Sequence, residues 1–177
     1  MKLSFLLALL AAAILTSCNS EPSLQRYFVD NSEKKEFISL DVSPSILNVN
    51  KTKLTAEQKT ALESFDKMNI LAFKLDKNNT VQYEQEREKL SKILRDETYQ
   101  ELMKVGSGKD AASISFVGDE DHIDEFIIYA NKKENGFAVV RILGDDMNPN
   151  NILTMLSVLK DANIDMEQLK PLEGLMK

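Results

Sequence analysis

Cysteine, histidine and tryptophan are nearly absent from this sequence, which has 1 cysteine, 1 histidine and no tryptophan among its 177 residues. A single cysteine excludes a disulfide framework within the chain and a cysteine-rich zinc site, and a single histidine excludes most histidine metal centres. Basic charge is also scarce, because 22 basic residues stand against 28 acidic ones, giving a net charge of −6. We therefore expect no nucleic-acid partner, since such proteins need a basic surface to neutralise phosphates.

The remaining composition is that of an ordered protein. Hydrophobic residues make up 43% of the chain, and the 28% that are charged are mixed in sign, which disfavours intrinsic disorder. The length suits one domain with a substantial core. No repeat or low-complexity stretch divides it. We expect a signal peptide over residues 1–17, a lipidated cysteine with a short tether over 18–23, and a single domain over 24–177.

The N-terminus has the pattern of a secretory signal. Lys2 gives a positive start, and residues 3–15 form an almost purely apolar run. As a helix this run would span about 20 Å, which is short of the roughly 30 Å hydrocarbon core of a bilayer. It therefore matches the apolar region of a signal peptide better than a membrane-spanning helix.

The apolar run ends in Leu15-Thr16-Ser17-Cys18, which resembles the lipobox of bacterial lipoproteins. In that class a peptidase cleaves before the cysteine, whose sulfur carries a diacylglycerol. Small residues before the cut admit the backbone to the peptidase, and only a thiol can form the thioether. The resemblance implies cleavage between Ser17 and Cys18 and acylation of Cys18, with fatty acids such as palmitate. The alternative is an ordinary signal peptide with an incidental cysteine.

The residues after Cys18 bear on location. In bacterial lipoproteins, aspartate just after the cysteine tends to mark retention in the inner membrane, and here that position is Asn19. We therefore expect an outer-membrane anchor in the cell envelope. Glu21 alone is a weak export signal, so a periplasm-facing domain is favoured over a surface-exposed one. The lipid is the expected membrane contact, because an acidic domain is repelled by anionic headgroups.

Several segments have the patterns of strands. Residues 36–42 alternate between apolar and polar side chains, as in a half-buried strand. Residues 126–130 and 137–140 are apolar on both faces, which predicts central strands of the sheet. Asn135-Gly136 between them is a signal for a tight turn. The predicted strands are 36–42, 69–75, 112–117, 124–131 and 137–143. Residues 99–105 fit either the end of the preceding helix or a strand, and we favour a strand.

Helix signals lie between and after these strands. Thr55 and Gln58 match a capping box, followed by apolar residues at helical spacing that we extend to Phe65. Thr80 is predicted to cap a long helix with a narrow apolar stripe and a charged opposite face. Asn148-Pro149 predicts the start of a helix that ends near Ala162, and residues 168–176 are predicted to form a short terminal turn. Together these patterns predict an α+β fold, a largely antiparallel sheet of four to six strands with helices packed on it.

This arrangement resembles a family of small Bacteroidota lipoproteins described as a domain of unknown function. The resemblance is carried by the lipobox, the acidic α+β body, and the closing strand 137–143 followed by Gly144-Asp145-Asp146 and an apolar helix. It covers most of residues 24–170. It implies an envelope lipoprotein and supplies no catalytic residues.

Two acidic patterns invite comparison with metal sites. Asp119, Glu120, Asp121, Asp124 and Glu125 surround the lone His122. Their oxygens suit calcium, but the segment lacks the glycine of a calcium loop, and acidic residues at a hairpin tip keep a sheet edge soluble. Asp146, Asn148 and Asn150 have the first spacings of an EF-hand, but Asn151 and Ser157 stand where glycine and glutamate belong. We expect no metal and no cofactor.

Catalytic motifs are equally sparse. Residues 32–35 and 64–67 both read Ser-x-x-Lys, but the companion motifs of penicillin-recognising enzymes are missing. A serine triad would need His122, on a predicted turn. We expect no enzymatic activity. The rival class is a hydrolase that works with two carboxylates alone.

The apolar residues of segment 152–159 occupy more than one helical face, and strands 126–130 and 137–140 are apolar on both sides. Both features fit the core of a layered domain, and both leave room for a partner surface. We expect a non-enzymatic module that binds another envelope protein or itself. The alternative is a carrier of a small apolar ligand between sheet and helices.

Overall fold

The fold is given by a computed structural model, which describes residues 22–43, 47–48, 54–119, 121–150, 154, 158, 163–164 and 170. Within this part of the chain three helices have defined bounds: α1 (Leu24–Asn31), α2 (Ala56–Glu63) and α3 (Thr80–Ile93). The strands are β1 (Phe37–Val42), β2 (Leu47–Asn48), β3 (Phe65–Lys74), β4 (Gln100–Ser107), β5 (Asp110–Asp119), β6 (His122–Lys132), β7 (Gly136–Met147) and β8 (Asn163–Ile164).

The main sheet has six strands in the order β1-β3-β7-β6-β5-β4, and every neighbouring pair is antiparallel. Strands β2 and β8 form a separate antiparallel pair. The predicted α+β class with an antiparallel sheet is therefore confirmed. Strands β6 and β7 lie in the middle of the sheet, as their apolar character on both faces predicts, and β1 and β4 are its edges.

Helices α1 and α3 pack on one face of the sheet, which we call the helix face. Aromatic rings dominate the core here. Phe73 stacks on Phe137 with ring centroids 5.5 Å apart, and Phe37 meets Phe73 edge-on at 5.2 Å. Leu24 of α1 and Leu90 of α3 are buried in the same cluster. Burying rings of this size is the main stabilising contribution of this layer.

The opposite face carries a second apolar cluster, and we call it the aliphatic face. Ile142 and Phe126 lie opposite each other on β7 and β6, and Phe116 extends the row onto β5. Phe65 belongs to this cluster as the first residue of β3, so the prediction that it continues helix α2 was wrong. Helix α2 ends at Glu63, and β3 begins four residues earlier than its alternating pattern indicates.

Local signals at the helix starts have different outcomes. The capping box of α2 is confirmed, because the Thr55 hydroxyl accepts from the Gln58 backbone N–H and the Gln58 side chain accepts from the Thr55 N–H. The prediction that Thr80 caps α3 was wrong: Asn79 is the capping residue, and its side chain makes no capping bond. Its amide instead donates to the Lys74 carbonyl, which ties the turn to β3.

The turn between β6 and β7 depends on Gly136. This residue has φ of 113°, and a Cβ there would collide with the Phe73 carbonyl of the neighbouring strand β3. The tight-turn signal at Asn135-Gly136 is confirmed, because residues 133–135 form the turn. Glycine is therefore needed at position 136 for two reasons, the positive φ of the turn and the close approach of the β3 backbone.

Several predictions lie outside the described residues. These are the signal peptide and Cys18, and most of segments 152–159 and 168–176. Residues 149, 150, 154 and 158 are helical, and Val158 is buried, which agrees with the predicted helix at those positions. Within the described part of the chain, no helix combines the length and the apolar character needed to cross a membrane.

Candidate functional site

The acidic cluster around His122 is divided by the structure. Asp119 and His122 face each other where β5 and β6 join, at the hairpin end of the two strands. Glu125 leaves the cluster, because its two carboxylate oxygens accept from Arg141 at 2.6 and 2.8 Å. Among the described residues no group of three or more metal-ligating side chains comes together. The predicted hairpin-tip position is confirmed for the described residues of the cluster, and the absence of a metal stays a prediction.

Arg141 is the centre of a buried polar cluster that the sequence analysis missed. It lies on the central strand β7 and is 6% exposed. Besides the bidentate pair with Glu125, it donates to the side chain of Gln25 and lies over the Phe28 ring, 5.4 Å from its centre. Both of those partners are on α1, so this guanidinium joins the helix to the sheet. The sequence signal that could have revealed this cluster is the presence of an arginine within the otherwise apolar run 137–143.

Glu86 is a second buried charge that sequence reasoning missed. It lies on α3, is 4% exposed, and accepts from the Tyr27 hydroxyl at 3.1 Å and from Lys89 at 2.7 Å. Burial raises the pKa of Tyr27 far above its usual range, and the Glu86 charge raises it further. The contact locks α1 to α3 with a neutral phenol as donor.

These two carboxylates bear on the carboxylate-hydrolase alternative. Glu86 and Glu125 are each held by donors that belong to the fold's own packing. A glycosidase-type mechanism needs one acid kept protonated and free to face substrate. Neither residue is arranged in that way, and the absence of enzymatic activity stays a prediction.

The two Ser-x-x-Lys segments lie at helix ends. The Ser32 hydroxyl donates to the Val29 carbonyl at 3.2 Å, and the Ser64 hydroxyl donates to the Ala61 carbonyl at 3.1 Å. Ser64 lies just after α2 rather than inside a longer helix. Both hydroxyls serve as local hydrogen-bond donors at the ends of α1 and α2, which gives each serine a structural role.

A row of small residues crosses the aliphatic face. Ala72, Ala138, Ala130 and Ala112 stand opposite one another on β3, β7, β6 and β5, and Val105 of β4 completes the row. Paired residues of antiparallel strands point to the same face, so these side chains are neighbours. The next row holds larger residues, namely Ile114, Ile128 and Val140. The small side chains therefore leave a depression beside a higher apolar ridge.

This depression, which we call the alanine trough, has a volume of about 550 Å³. Its walls include Val105, Ala112, Ala130 and Ala138, and the turns at Asn135 and Asp110 close its end. Ala72 is fully buried, Ala112 and Ala138 are half-buried, and Ala130 is exposed. The volume lies in the range of about 300–1,000 Å³ that small-molecule sites occupy.

The trough opens beside strand β4, where all eight residues are exposed. Leu102, Met103 and Val105 are 39%, 47% and 62% exposed, a concentration of large apolar side chains unusual for an edge. Strand β4 is an edge strand of the sheet, and no strand from the described part of the chain pairs with its outer side. A register shift between Glu101 and Met103 places a bulge near its start. The arrangement offers backbone hydrogen bonds along β4 and apolar pockets beside it.

The titration of Tyr129 gives a test of the packing on the helix face. Burial raises the pKa of Tyr129 to about 12, with the neighbouring Tyr83 raising it and Arg87 lowering it. An unfolded tyrosine titrates near pH 10, so the stabilising effect of the neutral phenol is complete below pH 10 and is lost as pH rises toward 12. We expect the free energy of unfolding to fall over this interval. In denaturant titrations at pH 9 to 12, the free energy of unfolding of a Tyr129→Phe variant should fall less with pH than that of the wild type. An equally steep fall in both proteins would contradict the raised pKa of Tyr129.

Comparison with protein families matches residues 27–155 to a domain of unknown function (DUF4252). The matched region begins within α1, runs beyond β7, and contains β4, the alanine trough, and Arg141 with its partners Glu125 and Phe28. Neither curated proteins nor solved structures provide a match.

Proposed function

Because the chain belongs to the DUF4252 family, whose description names no activity, we propose a function from its own surface. The protein is an outer-membrane lipoprotein of the bacterial envelope that acts by binding. Its ligand is an extended, apolar segment of another envelope protein, which adds to the sheet along β4 and places side chains in the alanine trough.

The envelope location is supported by the N-terminal sequence. The apolar run, the Leu15-Thr16-Ser17-Cys18 pattern and Asn19 favour an anchor on the outer membrane. Two or three acyl chains hold a protein firmly on a bilayer, since each buried methylene contributes about 0.8 kcal/mol. Confinement to that surface raises the concentration of the domain near its neighbours, which favours binding of modest intrinsic affinity.

The exposed edge β4 is the observation that carries the proposal. Its outer backbone N–H and C=O groups can pair with a peptide in the manner of an added strand. Such pairing supplies affinity from the main chain, and specificity comes from pockets that receive alternate side chains. The alanine trough lies on the face where Met103 and Val105 point, so both requirements meet at one place.

A partner segment explains this surface better than a second copy of the chain. Two copies of β4 paired about the centre of its regular part, residues 103–107, would place Lys104 near Lys104 of the other copy. In this register Lys104 stands directly opposite Gly106 and diagonally across from the other Lys104, at about 7–8 Å, where the two like charges repel each other. A segment from a different protein is free of this symmetry constraint and can present an acidic or neutral residue to Lys104.

A matched pair of variants tests the role of β4. Val105 and Val81 are both exposed valines, at 62% and 72%, but Val81 lies on α3, outside the trough. A photo-crosslinking residue at Met103 in the lipidated protein should capture one envelope protein in cells. Val105→Asp should reduce that product by about tenfold or more, because it places a charge at an apolar contact. Val81→Asp should leave it unchanged.

The captured segment provides a second measurement. The crosslink should map to a stretch of alternating apolar residues, and a synthetic peptide of that stretch should bind the purified full-length protein and compete with capture. If Val81→Asp and Val105→Asp reduce the product equally, or if the peptide does not bind, the β4 proposal is wrong. Capture of a second copy of the chain would replace the partner segment by self-association.

A carrier of a small apolar ligand is the second candidate, because the alanine trough alone has a ligand-sized volume. The trough lies open on one side, and Asn131, a buried polar residue of its lining, is already bonded to the Tyr83 hydroxyl and the Lys109 carbonyl, which favours a peptide. Native mass spectrometry of the protein purified from its envelope separates the two candidates. A bound apolar compound that leaves when Ala130 is changed to Phe would favour the carrier.

A further inference from the structure

A separate polar cleft lies on the helix face, between α3 and the β4–β5 hairpin. Its volume is about 200 Å³, below the roughly 300–1,000 Å³ of sites for drug-sized ligands. Its polar lining comes from Arg87, Ser91 and Arg95 on the helix side and from Lys104, Ser113 and Tyr129 on the sheet side. A compact polar group fits such a cleft better than a chain does.

The helix side of the cleft is built by spacing. Arg87, Ser91 and Arg95 follow one another at intervals of four residues, which places them along one side of α3 and the turn after it. Arg87 uses Nε and one terminal nitrogen to hold Glu84 at 3.1 and 2.9 Å, which leaves its other N–H groups available. The Arg95 guanidinium makes no hydrogen bond or ion pair with any described residue.

The sheet side is built by strand register. Lys104, Ser113 and Tyr129 stand opposite one another on β4, β5 and β6, so their side chains share the helix face. Ser115 lies one row further along and is 5% exposed. The hydroxyls of Ser113 and Tyr129 form no hydrogen bond within the part of the chain that the structure describes. Two rows of donors therefore face each other across a narrow gap.

The charge of the cleft is opposite to that of the protein. The chain carries a net charge of −6, yet Arg87, Arg95 and Lys104 line the cleft against one acidic residue, Glu101. Glu101 lies 3.7 Å from Lys104, and both side chains are more than half exposed, so this pair is weak. A concentration of cations within an acidic protein attracts anions to this position.

We infer that this cleft binds a phosphate group. Two guanidinium groups, one ammonium and several hydroxyls supply more donors than the two oxygens of a carboxylate can accept, whereas a phosphate offers three or four acceptor oxygens. Arginine in particular matches the geometry of phosphate oxygens. The phosphate can belong to a soluble ester or to a phospholipid headgroup, since both present the same oxyanion.

Calorimetry with the detergent-solubilised full-length protein tests this inference. Inorganic phosphate should bind, and the Arg95→Gln, Lys104→Gln double variant should weaken binding by about tenfold or more, because charge-assisted hydrogen bonds are lost. Lys92→Gln is the matched control. Lys92 is an exposed cation of α3 paired with Glu88 outside the cleft, so its loss should change affinity less than about twofold.

Two further variants separate a built site from general electrostatic attraction. Ser113→Ala keeps every charge and should still weaken phosphate binding several-fold, since it removes a donor from the cleft. Glu101→Gln removes the competing acid and should strengthen binding. If wild-type protein does not bind phosphate, or if Ser113→Ala and Lys92→Gln behave alike, the inference is wrong.

The source of the phosphate is identified in the same set of measurements. Vesicles of phosphatidylglycerol and of phosphatidylcholine are compared in a flotation assay with the wild-type sequence and the double variant, both produced without residues 1–18, so that neither the apolar run 3–15 nor the acyl anchor is present. Binding to phosphatidylglycerol that the double variant loses assigns the cleft to a lipid headgroup. Binding of inorganic phosphate without such vesicle binding assigns it to a soluble ester.

Discussion

The Cys18→Ala variant should accumulate as an uncleaved precursor that carries no fatty acid. Lipoprotein processing as the lipobox implies it needs the thiol, because the diacylglycerol is attached through a thioether and the peptidase acts on the modified chain. Mass spectrometry of membrane-extracted wild-type protein should give an N-terminus at Cys18 with the added mass of the acyl chains. Incorporation of labelled palmitate should be complete in the wild type and absent in the variant.

Ser17→Ala is the control for this experiment. Alanine at the position before the cysteine keeps the side chain small, so cleavage and acylation should proceed as in the wild type. An unmodified N-terminus at another residue of the wild-type chain would show an ordinary signal peptide, with Cys18 incidental. That outcome would remove the outer-membrane anchor from the proposed function and leave the β4 surface to be tested separately.

Arg141→Leu should lower the free energy of unfolding by about 3–5 kcal/mol, the range found when one partner of a buried ion pair is removed. The Arg141 side chain is 8% exposed and that of Glu125 is 12% exposed, so the variant strands a carboxylate away from water. The loss of contacts to Gln25 and Phe28 also frees α1 from the sheet. Urea unfolding of the two proteins measures the difference.

Two further variants identify the cause of that loss. The double variant Arg141→Leu, Glu125→Leu should recover most of the stability, because it removes the stranded charge together with its partner. Arg26→Leu breaks an exposed pair with Asp30, whose side chains are 61% and 58% exposed, and should cost at most about 1 kcal/mol. Equal losses for Arg26→Leu and Arg141→Leu would show that the buried pair has no special role.

Most of the sheet could be predicted from the sequence, and particular residues show why. The alternation in β1 predicted a half-buried strand, and the two-sided apolar character of β6 and β7 predicted the centre of the sheet, where both strands lie. The capping box at Thr55 and Gln58 is equally local, since its hydrogen bonds span three residues. Phe65 shows the limit, because an apolar residue after a helix fits either the next turn or the start of a strand.

The candidate sites could not be predicted, because their members meet only through strand register. Ala72, Ala112, Ala130 and Ala138 are ordinary alanines until β3, β5, β6 and β7 align them in one row. Lys104, Ser113 and Tyr129 likewise become neighbours only when three strands pair. The residues of each site are far apart in the sequence, so no single segment shows a pattern that would predict the site.

The sequence by itself determined the α+β class and the central strands, because composition and periodicity are properties of short segments. It also predicts a lipoprotein N-terminus and little metal or disulfide chemistry. Only the tertiary structure decided which charged residues are buried and which partners they have. Glu86 belongs to a helix whose charged pattern predicts solvent exposure, yet Tyr27, 59 residues away, covers it and donates to it. Glu125 left an acidic cluster for Arg141 on the adjacent strand. A buried charge is stable only with its partner in place, and that partner is supplied by long-range packing that no local pattern encodes.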